Sequence, residues 1–387
     1  MDEQQPFSGY RVIDFTRVVS GPYATLQLAF LGADVIKVES AEGDDARRMA
    51  PDPAMTKDDM SPAFMALAMN KRSVVLDLKS EDGRAAAEAL ILSADAVVEN
   101  FRPGVMDRLG LGYEALAVKK PDLIFCSISG FGQSGPRVKS PAYDARLQAM
   151  SGIMSITGQP ETGPVRAGYA VVDAAAGMAA AFAIASAFLQ RERTGKGQRI
   201  DVPMLDATLS HMSPTVAEET VGGRTPRLAG NQGTSGRPTA NLFPCRDGHV
   251  MLAVNTEGQF QGLAQVIGKP DLGKDPRFQD WDARKANEVD LRQIIEAGFA
   301  ERDGADLEAA LDAASVPASR VRDIADILGD AQVAHRGLMQ KFDGYSLVGP
   351  PFSFAWGGPK ATSAPPTIGQ HTEEVLAEIT PASSRSA

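Results

Sequence analysis

Short apolar runs separated by helical patterns dominate the first half of the chain. YRVIDF (10–15), ADVIKVES (33–40), NKRSVVLDLKS (70–80), ADAVVENF (94–101) and LIFCSISGFG (123–132) each read as a strand. None alternates cleanly between apolar and polar residues, as expected of strands covered by helices on both faces. Between them, YATLQLAFLGA, EDGRAAAEALILSA and PGVMDRLGLGYEALAVKK read as helices or loop-plus-helix segments. This alternation predicts a doubly wound, Rossmann-like parallel sheet in an α/β domain. Ligands bind such sheets beyond the carboxyl ends of the strands. ENFRPG (99–104) and SGFGQSGPR (129–137) are therefore the candidate binding loops.

The longest apolar stretch is VVDAAAGMAAAFAIASAFLQ (171–190), in which sixteen uncharged residues, nine of them alanine, follow Asp173. Alanine favours helix, and small side chains allow close packing. The uncharged run falls short of the roughly 20 apolar residues a membrane span needs. A central helix buried on nearly all sides is expected. Asp173 then stands at its positive dipole end, either as an N-cap or as a carboxylate within reach of a substrate.

Beyond this helix, RERTGKGQRIDVPMLDATLSHM predicts a turn, a strand at Gln198–Val202 and a further helix. GGRTPRLAGNQGTSGRP has no periodicity and reads as a linker or functional loop. NLFPCRDGHVMLAV then resembles a hairpin, and helices follow at about 258–268, 286–302 and 305–314. Three spans are expected: 1–220 as a large α/β domain, 225–325 as a smaller α+β domain, and 326–387 returning to the first with a frayed tail.

Composition narrows the function. A net charge of −10 disfavours nucleic acid or an anionic membrane as partner. Cys126 and Cys245 have no cysteine near them, and the four histidines are scattered, so neither a disulfide framework nor a metal site is expected. The N-terminal MDEQQPFSG lacks a signal pattern, and a cytoplasmic location is the default. Glu39 ends a strand where a dinucleotide fold binds ribose. However, the first turn holds one glycine rather than the three of the fingerprint, so a nicotinamide dehydrogenase is discounted. Lys71, Arg72, Arg102, Arg108 and Lys139 lie in or near strand-end loops and together suit a phosphate-bearing ligand.

Seven segments in order then carry a resemblance. They are DFTRVVSGPYATLQLAFLGADVIKVES, NKRSVVLDLKSEDG, ENFRPG, SISGFGQSGP, YDARLQAMSG, the Asp173 segment and GKGQRIDVPMLDA. The chain resembles the family III CoA-transferases, a group that includes formyl-CoA and carnitine CoA-transferases and α-methylacyl-CoA racemases. The similarity runs from about Gly9 to the GQHTEEVL segment at 369–376.

The resemblance implies CoA transfer from an acyl-CoA donor to a carboxylic acid, with Asp173 as nucleophile and a covalent aspartyl intermediate. It implies no permanently bound cofactor, coenzyme A being a carried substrate. It also implies an interlocked homodimer. For CoA it points to Val18, Lys71, Arg72, Asn100, Phe101, Arg108 and Tyr143, and for a loop over the substrate to Asn231, Gln232 and Gly233. Val19 and Ser40 replace a Gln and an Arg of the formyl-CoA transferases, so oxalate or formate specificity is not supported. A racemase is the alternative. Racemases carry a His where this chain has Tyr143, and a tyrosine near pKa 10 is a poor acid–base partner. Glu257, which resembles a racemase Glu, then has no assigned partner. A non-catalytic CoA-binding protein is the third reading, disfavoured by the presence of Asp173.

Overall fold

The structure, a computed structural model, describes residues 4–379. Its chain divides into two compact units. One takes the chain up to Met154, Arg166–Pro226 and everything from Arg336. The other takes Ser155–Val165 and Arg227–His335.

Six parallel strands form the sheet of the first unit: β1 Arg11–Asp14, β2 Asp34–Glu39, β3 Lys71–Val75, β4 Ala96–Glu99, β5 Ile124–Ser129 and β6 Gln198–Pro203. Their order is β3-β2-β1-β4-β5-β6, all neighbours parallel. Helices α1 Ser20–Phe30, α2 Glu81–Leu92, α3 Tyr113–Lys119, α4 Asp144–Met150, α5 Val171–Thr194 and α6 Met204–His211 accompany it. The strands feed two separate cores through their two-residue period. Val12, Val35, Val98, Ile124 and Cys126 face one core with Leu28, Ala176, Ala180, Ile184 and Phe188. Ile13, Ile36, Val97 and Phe125 face the other with Leu90, Ile91 and Leu116. Double coverage is why β4 and β5 are buried at every position, and why the sequence shows runs rather than alternation.

The chain winds outward in one direction through β1, β2 and β3, and in the other through β4, β5 and β6. The β1–β4 boundary is therefore the topological switch point, where open sheets of this kind leave a crevice. The edge strand β3 is covered by the C-terminal segment. There the His371 N–H donates to the Ser73 carbonyl, and the Val75 N–H donates to the Thr372 hydroxyl.

Helix α5 departs from expectation. It is longer than the apolar run, reaching Thr194 over 24 residues, and is long and apolar enough to cross a bilayer by those measures alone. It is not buried on nearly all sides. Its small residues, Ala176, Gly177, Ala180 and Ala187, pack inward, while Phe182 is 76% and Leu189 55% exposed. One glycine sets how closely it sits on α1, and a second lets α1 start close against the β1 turn. A Cβ at Gly177 would stand 2.6 Å from the Ser20 carbonyl, and one at Gly21 would stand 2.3 Å from Thr16.

The second unit has its own core around Phe243, Val250, Phe260, Leu291, Phe299 and Leu311. Strands β7 Leu242–Cys245, β8 Gly248–Leu252 and β9 Ala318–Arg320 form an antiparallel sheet in the order β9-β8-β7. The unit is discontinuous, which the sequence boundaries of 225 and 325 do not capture. It extends to His335 and takes in a small hairpin, Gly158–Gln159 with Gly163–Pro164, which binds residue 230 through Gly230 N–H to the Gly158 carbonyl.

Candidate active site

The turn that leaves β1 is held on all sides. Asn100, just past β4, accepts from the Arg17 N–H and donates to the Arg17 carbonyl, both at 2.8 Å. Lys37 Nζ donates to the Thr16 carbonyl at 2.7 Å, and Asp44 Oδ1 accepts from the Val18 N–H at 3.1 Å. Val18 is thereby fixed at φ 68°, in the left-handed region that a β-branched residue avoids. The chain then enters α1 at Ser20.

Helix α5 begins opposite this turn. Its N-cap, Ala170, has no capping side chain. Asp144, the first residue of α4, does that work from outside, accepting from the Val172 N–H at 2.9 Å and the Asp173 N–H at 3.3 Å. Gln148, one turn later, donates to Asp144 and accepts from the Ala167 N–H at 2.9 Å. Asp173 is thus not the N-cap: it is the third residue of the helix, and Asp144 serves the N–H groups at the helix start. Gly177, one turn along the same face, lets α5 approach Ser20 and brings the Asp173 carboxylate beside it. Burial and the neighbouring Asp144 carboxylate push Asp173 up to about 6, while the Ser20 hydroxyl and backbone N–H pull the other way.

Asp173 faces a cavity of about 300 Å³ at the switch point. Its lining includes Arg17, Val18, Ser20, Asn100, Phe101, Arg102, Ser129, Phe131, Tyr143, Asp173 and Met204, all from the first unit. A second hollow of about 250 Å³ shares Arg17 and Phe101 with it and continues past β2 and β3 to Lys79. Asp45 stands with Arg102 in the lining of the first hollow, and Glu39, Asp44 and Asp77 line the second beside Lys37 and Lys79. The sequence profile described as CoA-transferase family III matches residues 7–372.

The chain belongs to that family. It is therefore an enzyme, a CoA-transferase. Over 98% of this chain and 96% of the other, it is 38% identical to a succinate–glutarate CoA-transferase of Agrobacterium fabrum. It is 39% identical to an acetyl-CoA:oxalate CoA-transferase of Acetobacter aceti, covering 89% and 88%. A crystal structure of a CAIB/BAIF family protein from Brucella suis superposes with a TM-score of 0.90 at 35% identity, covering 97% of this chain and 100% of that one.

Within this CoA-transferase, the structure brings Val18, Asn100, Phe101, Tyr143 and Asp173 together at the cavity. It does not bring Lys71, Arg72 or Arg108 to it. Lys71 opens β3 and is buried, with its ammonium donating to Asp14 at 3.0 Å, the Pro22 carbonyl at 2.9 Å and Thr25 at 2.8 Å. All three donors are used, so none is left for a ligand. Arg72 pairs with Asp34, Glu374 and Glu378, tying the C-terminal helix to the sheet. Arg108 is exposed on a short helical turn, Val105–Arg108, and lines neither hollow. Asn100 lines the cavity, but its amide is taken by the Arg17 backbone.

Asn231, Gln232 and Gly233 belong to the second unit. There the Gly233 N–H donates to the Ala240 carbonyl at 2.8 Å, and Gln232 Nε2 to the Gly236 carbonyl at 3.1 Å. Glu257 has a partner after all: Arg284, wholly buried, holds it through two bonds of 2.6 and 2.8 Å. Arg17, Ser20, Lys79 and Asp144 are candidate site residues that sequence reasoning missed, whereas Ser129 opens the predicted binding loop 129–137. Arg17 and Ser20 stand in the first quoted motif and Asp144 in YDARL, but nothing in those strings says which atoms they meet.

Proposed function

We propose that this CoA-transferase passes CoA from an acyl-CoA to a carboxylic acid with Asp173 as the covalent carrier. The supporting observation is a half-buried carboxylate, relieved of capping by Asp144 and facing the switch-point cavity. Its carboxylate attacks the thioester carbonyl, and the carbon–sulfur bond breaks to leave a mixed anhydride and CoA thiolate. The thiolate then attacks the aspartyl carbonyl, releasing the donor acid as carboxylate and leaving an aspartyl–CoA thioester. The acceptor carboxylate repeats both steps in reverse and restores Asp173. No proton need be moved, which suits a site whose groups are carboxylates and a thiolate.

A carboxyl that titrates near 6 is mostly ionised at neutral pH, and it is a more basic nucleophile than a solvated aspartate. In this reading the acyl end of CoA lies beside Asp173. The nucleotide end continues past Phe101 into the second hollow, with Arg17 and Lys79 meeting phosphate. The acceptor class we favour is a small dicarboxylic acid, after the names of the relatives. Homodimer formation has its support in the apolar face that α5 leaves open at Met178, Phe182 and Leu189. Racemisation fits less well, since Tyr143 is 74% exposed and Glu257 is bound to Arg284.

Incubation with succinyl-CoA and hydroxylamine tests the carrier. The expected result is inactivation, with a hydroxamate found by mass spectrometry at Asp173 and nowhere else. Full activity throughout, or solvent deuterium entering the α-carbon without exchange between acids, overturns the proposal.

A further inference from the structure

Asp45 puts a carboxylate in the lining of the Asp173 cavity, which the reading above gives to a thioester of CoA. That ligand carries a diphosphate and a 3′-phosphate, so an acid beside it works against binding. The Asp45 side chain is 62% exposed and open to a ligand, but its backbone cannot swing away. It opens a short turn, Asp45–Arg48, capped by Asp44, whose Oδ1 accepts from the Ala46 N–H at 3.0 Å and whose Oδ2 accepts from Lys37 at 2.8 Å. Ser61 clamps the same turn. Its hydroxyl donates to the Ala46 carbonyl at 2.6 Å and its N–H to the Arg47 carbonyl at 2.8 Å. The charge is therefore stationary and calls for a reason.

Its partner supplies one. Asp45 Oδ1 lies 3.3 Å from Arg17 Nη2, and the same nitrogen donates to the Gly43 carbonyl at 3.3 Å. Arg17 is anchored too, since Asn100 bonds both its N–H and its carbonyl. Arg17 lines both hollows, at the junction where the pantetheine arm would give way to the nucleotide. The diphosphate of CoA joins those two parts. Arg48 lies 3.7 Å from the same Asp45 oxygen, but it lines neither hollow and donates to the Glu42 carbonyl at 2.6 Å. An ion pair as exposed as Arg17–Asp45 is weak, so a diphosphate, richer in charge and acceptors, can replace the carboxylate.

We infer that Asp45 is an affinity-setting residue, whose carboxylate holds the Arg17 guanidinium in the free enzyme and competes for it with the diphosphate of CoA. The inference rests on the CoA-transfer reading and on Arg17 meeting phosphate within it. It deepens that reading by building a competitor into the site. The thioester product carries the same diphosphate as the substrate, and a resident rival for Arg17 keeps it from being held too tightly to leave.

The test uses the full chain as Asp45→Asn, Asp45→Glu, Arg17→Ala and the Asp45→Asn/Arg17→Ala double variant. Affinity for CoA and for dephospho-CoA, which lacks only the 3′-phosphate, is measured by calorimetry at one ionic strength. KM for succinyl-CoA and for glutarate is measured alongside. For Asp45→Asn the expected result is CoA binding tightened about three- to fivefold, the scale of one exposed ion pair, with KM for succinyl-CoA falling in the same direction. Dephospho-CoA should gain by the same factor. KM for glutarate should hold within about twofold, and Asp45→Glu should bind CoA as wild type does. Arg17→Ala should weaken CoA binding about tenfold or more, and in that background Asp45→Asn should change affinity by less than about 1.5-fold. Unchanged or weaker binding by Asp45→Asn, an equal gain with and without Arg17, or a gain lost with dephospho-CoA would each overturn the inference. So would an Arg17→Ala protein that binds CoA as wild type does. A wild-type protein that binds no CoA would instead sink the transferase reading itself.

Discussion

Two groups of buried acids lie at the same end of the sheet and behave in opposite ways. Around the β1 turn, Asp14, Glu39 and Asp44 are matched by Lys37, Arg47 and Lys71 in buried ion pairs of 3.0 Å or less. Burial alone would raise Asp14, yet Lys71 and Lys37 outweigh it and hold Asp14 down at about 2. Glu39 and Asp44 are lowered in the same way, against their burial, by Arg47 and Lys37. Across the cavity, Asp173 and Asp144 stand together, with no ion pair to either among the described residues. There burial and like charge act in the same direction, and Asp173 is raised. Depth does not separate the two groups; charge balance does. The balanced cluster fixes backbone, and the unbalanced pair leaves one carboxylate with a raised pKa and no counter-charge among the described residues.

Breaking the balanced cluster should have the larger effect. Lys71→Met would leave Asp14 with Lys37 alone as counter-charge and take one donor from each of three acceptors, a change of the kind that costs about 3–5 kcal/mol. Urea unfolding should show that loss, with the midpoint falling and the slope unchanged. The folded fraction should still bind CoA with wild-type affinity. A stable Lys71→Met protein that has lost CoA affinity would return Lys71 to the ligand and remove it from the scaffold.

Lys71 also marks where sequence stops being informative. The fold was readable because each strand is built on a short apolar run followed by a loop of Asn, Gly, Pro, Ser or Arg, a local signature that survives without tertiary knowledge. Asp173 was readable because it is the only charge before a long alanine-rich run. Lys71 looked like a strand-end cation, but it opens β3 and its side chain reaches along the sheet to Asp14, 57 positions earlier. Nothing local records that reach. The same holds for Asp144, which caps a helix beginning 27 residues after it (171 against 144), and for residues 155–165, a short polar stretch whose membership of the second unit depends on partners beyond residue 226. Residue type suggested the chemistry, and partner geometry assigned it.

Asp173→Asn inverts the sign of the Lys71 prediction. A carboxyl raised from 3.8 to about 6 favours the folded state only while protonated. That contribution is present below about 4 and is lost as pH climbs through about 6. At pH 7 the charged form is therefore a burden, and asparagine, always neutral, removes it. The variant should be inactive yet more stable by about 1–3 kcal/mol at pH 7. The gain should shrink towards zero by pH 4. Equal stability of variant and wild type across that range would mean that Asp173 is not strained by its surroundings.

The smaller effect lies with Asp144, and it tests whether the pair acts electrostatically. The proposed mechanism requires ionised Asp173, so on it the rate should rise with pH through about 6 and fall away below it. Asp144→Asn removes the like charge but keeps an oxygen for the Val172 N–H, so α5 stays capped. Gln148 Nε2 then has one acceptor fewer, which should lower the melting point by a few degrees. The acid limb of the rate profile should move down by roughly half to one pH unit, since burial still raises Asp173 while the like charge beside it is gone. A merely structural Asp144 would lower the rate equally at every pH and leave the limb in place. A limb that does not move therefore assigns the whole shift to burial and leaves Asp144 as a cap alone.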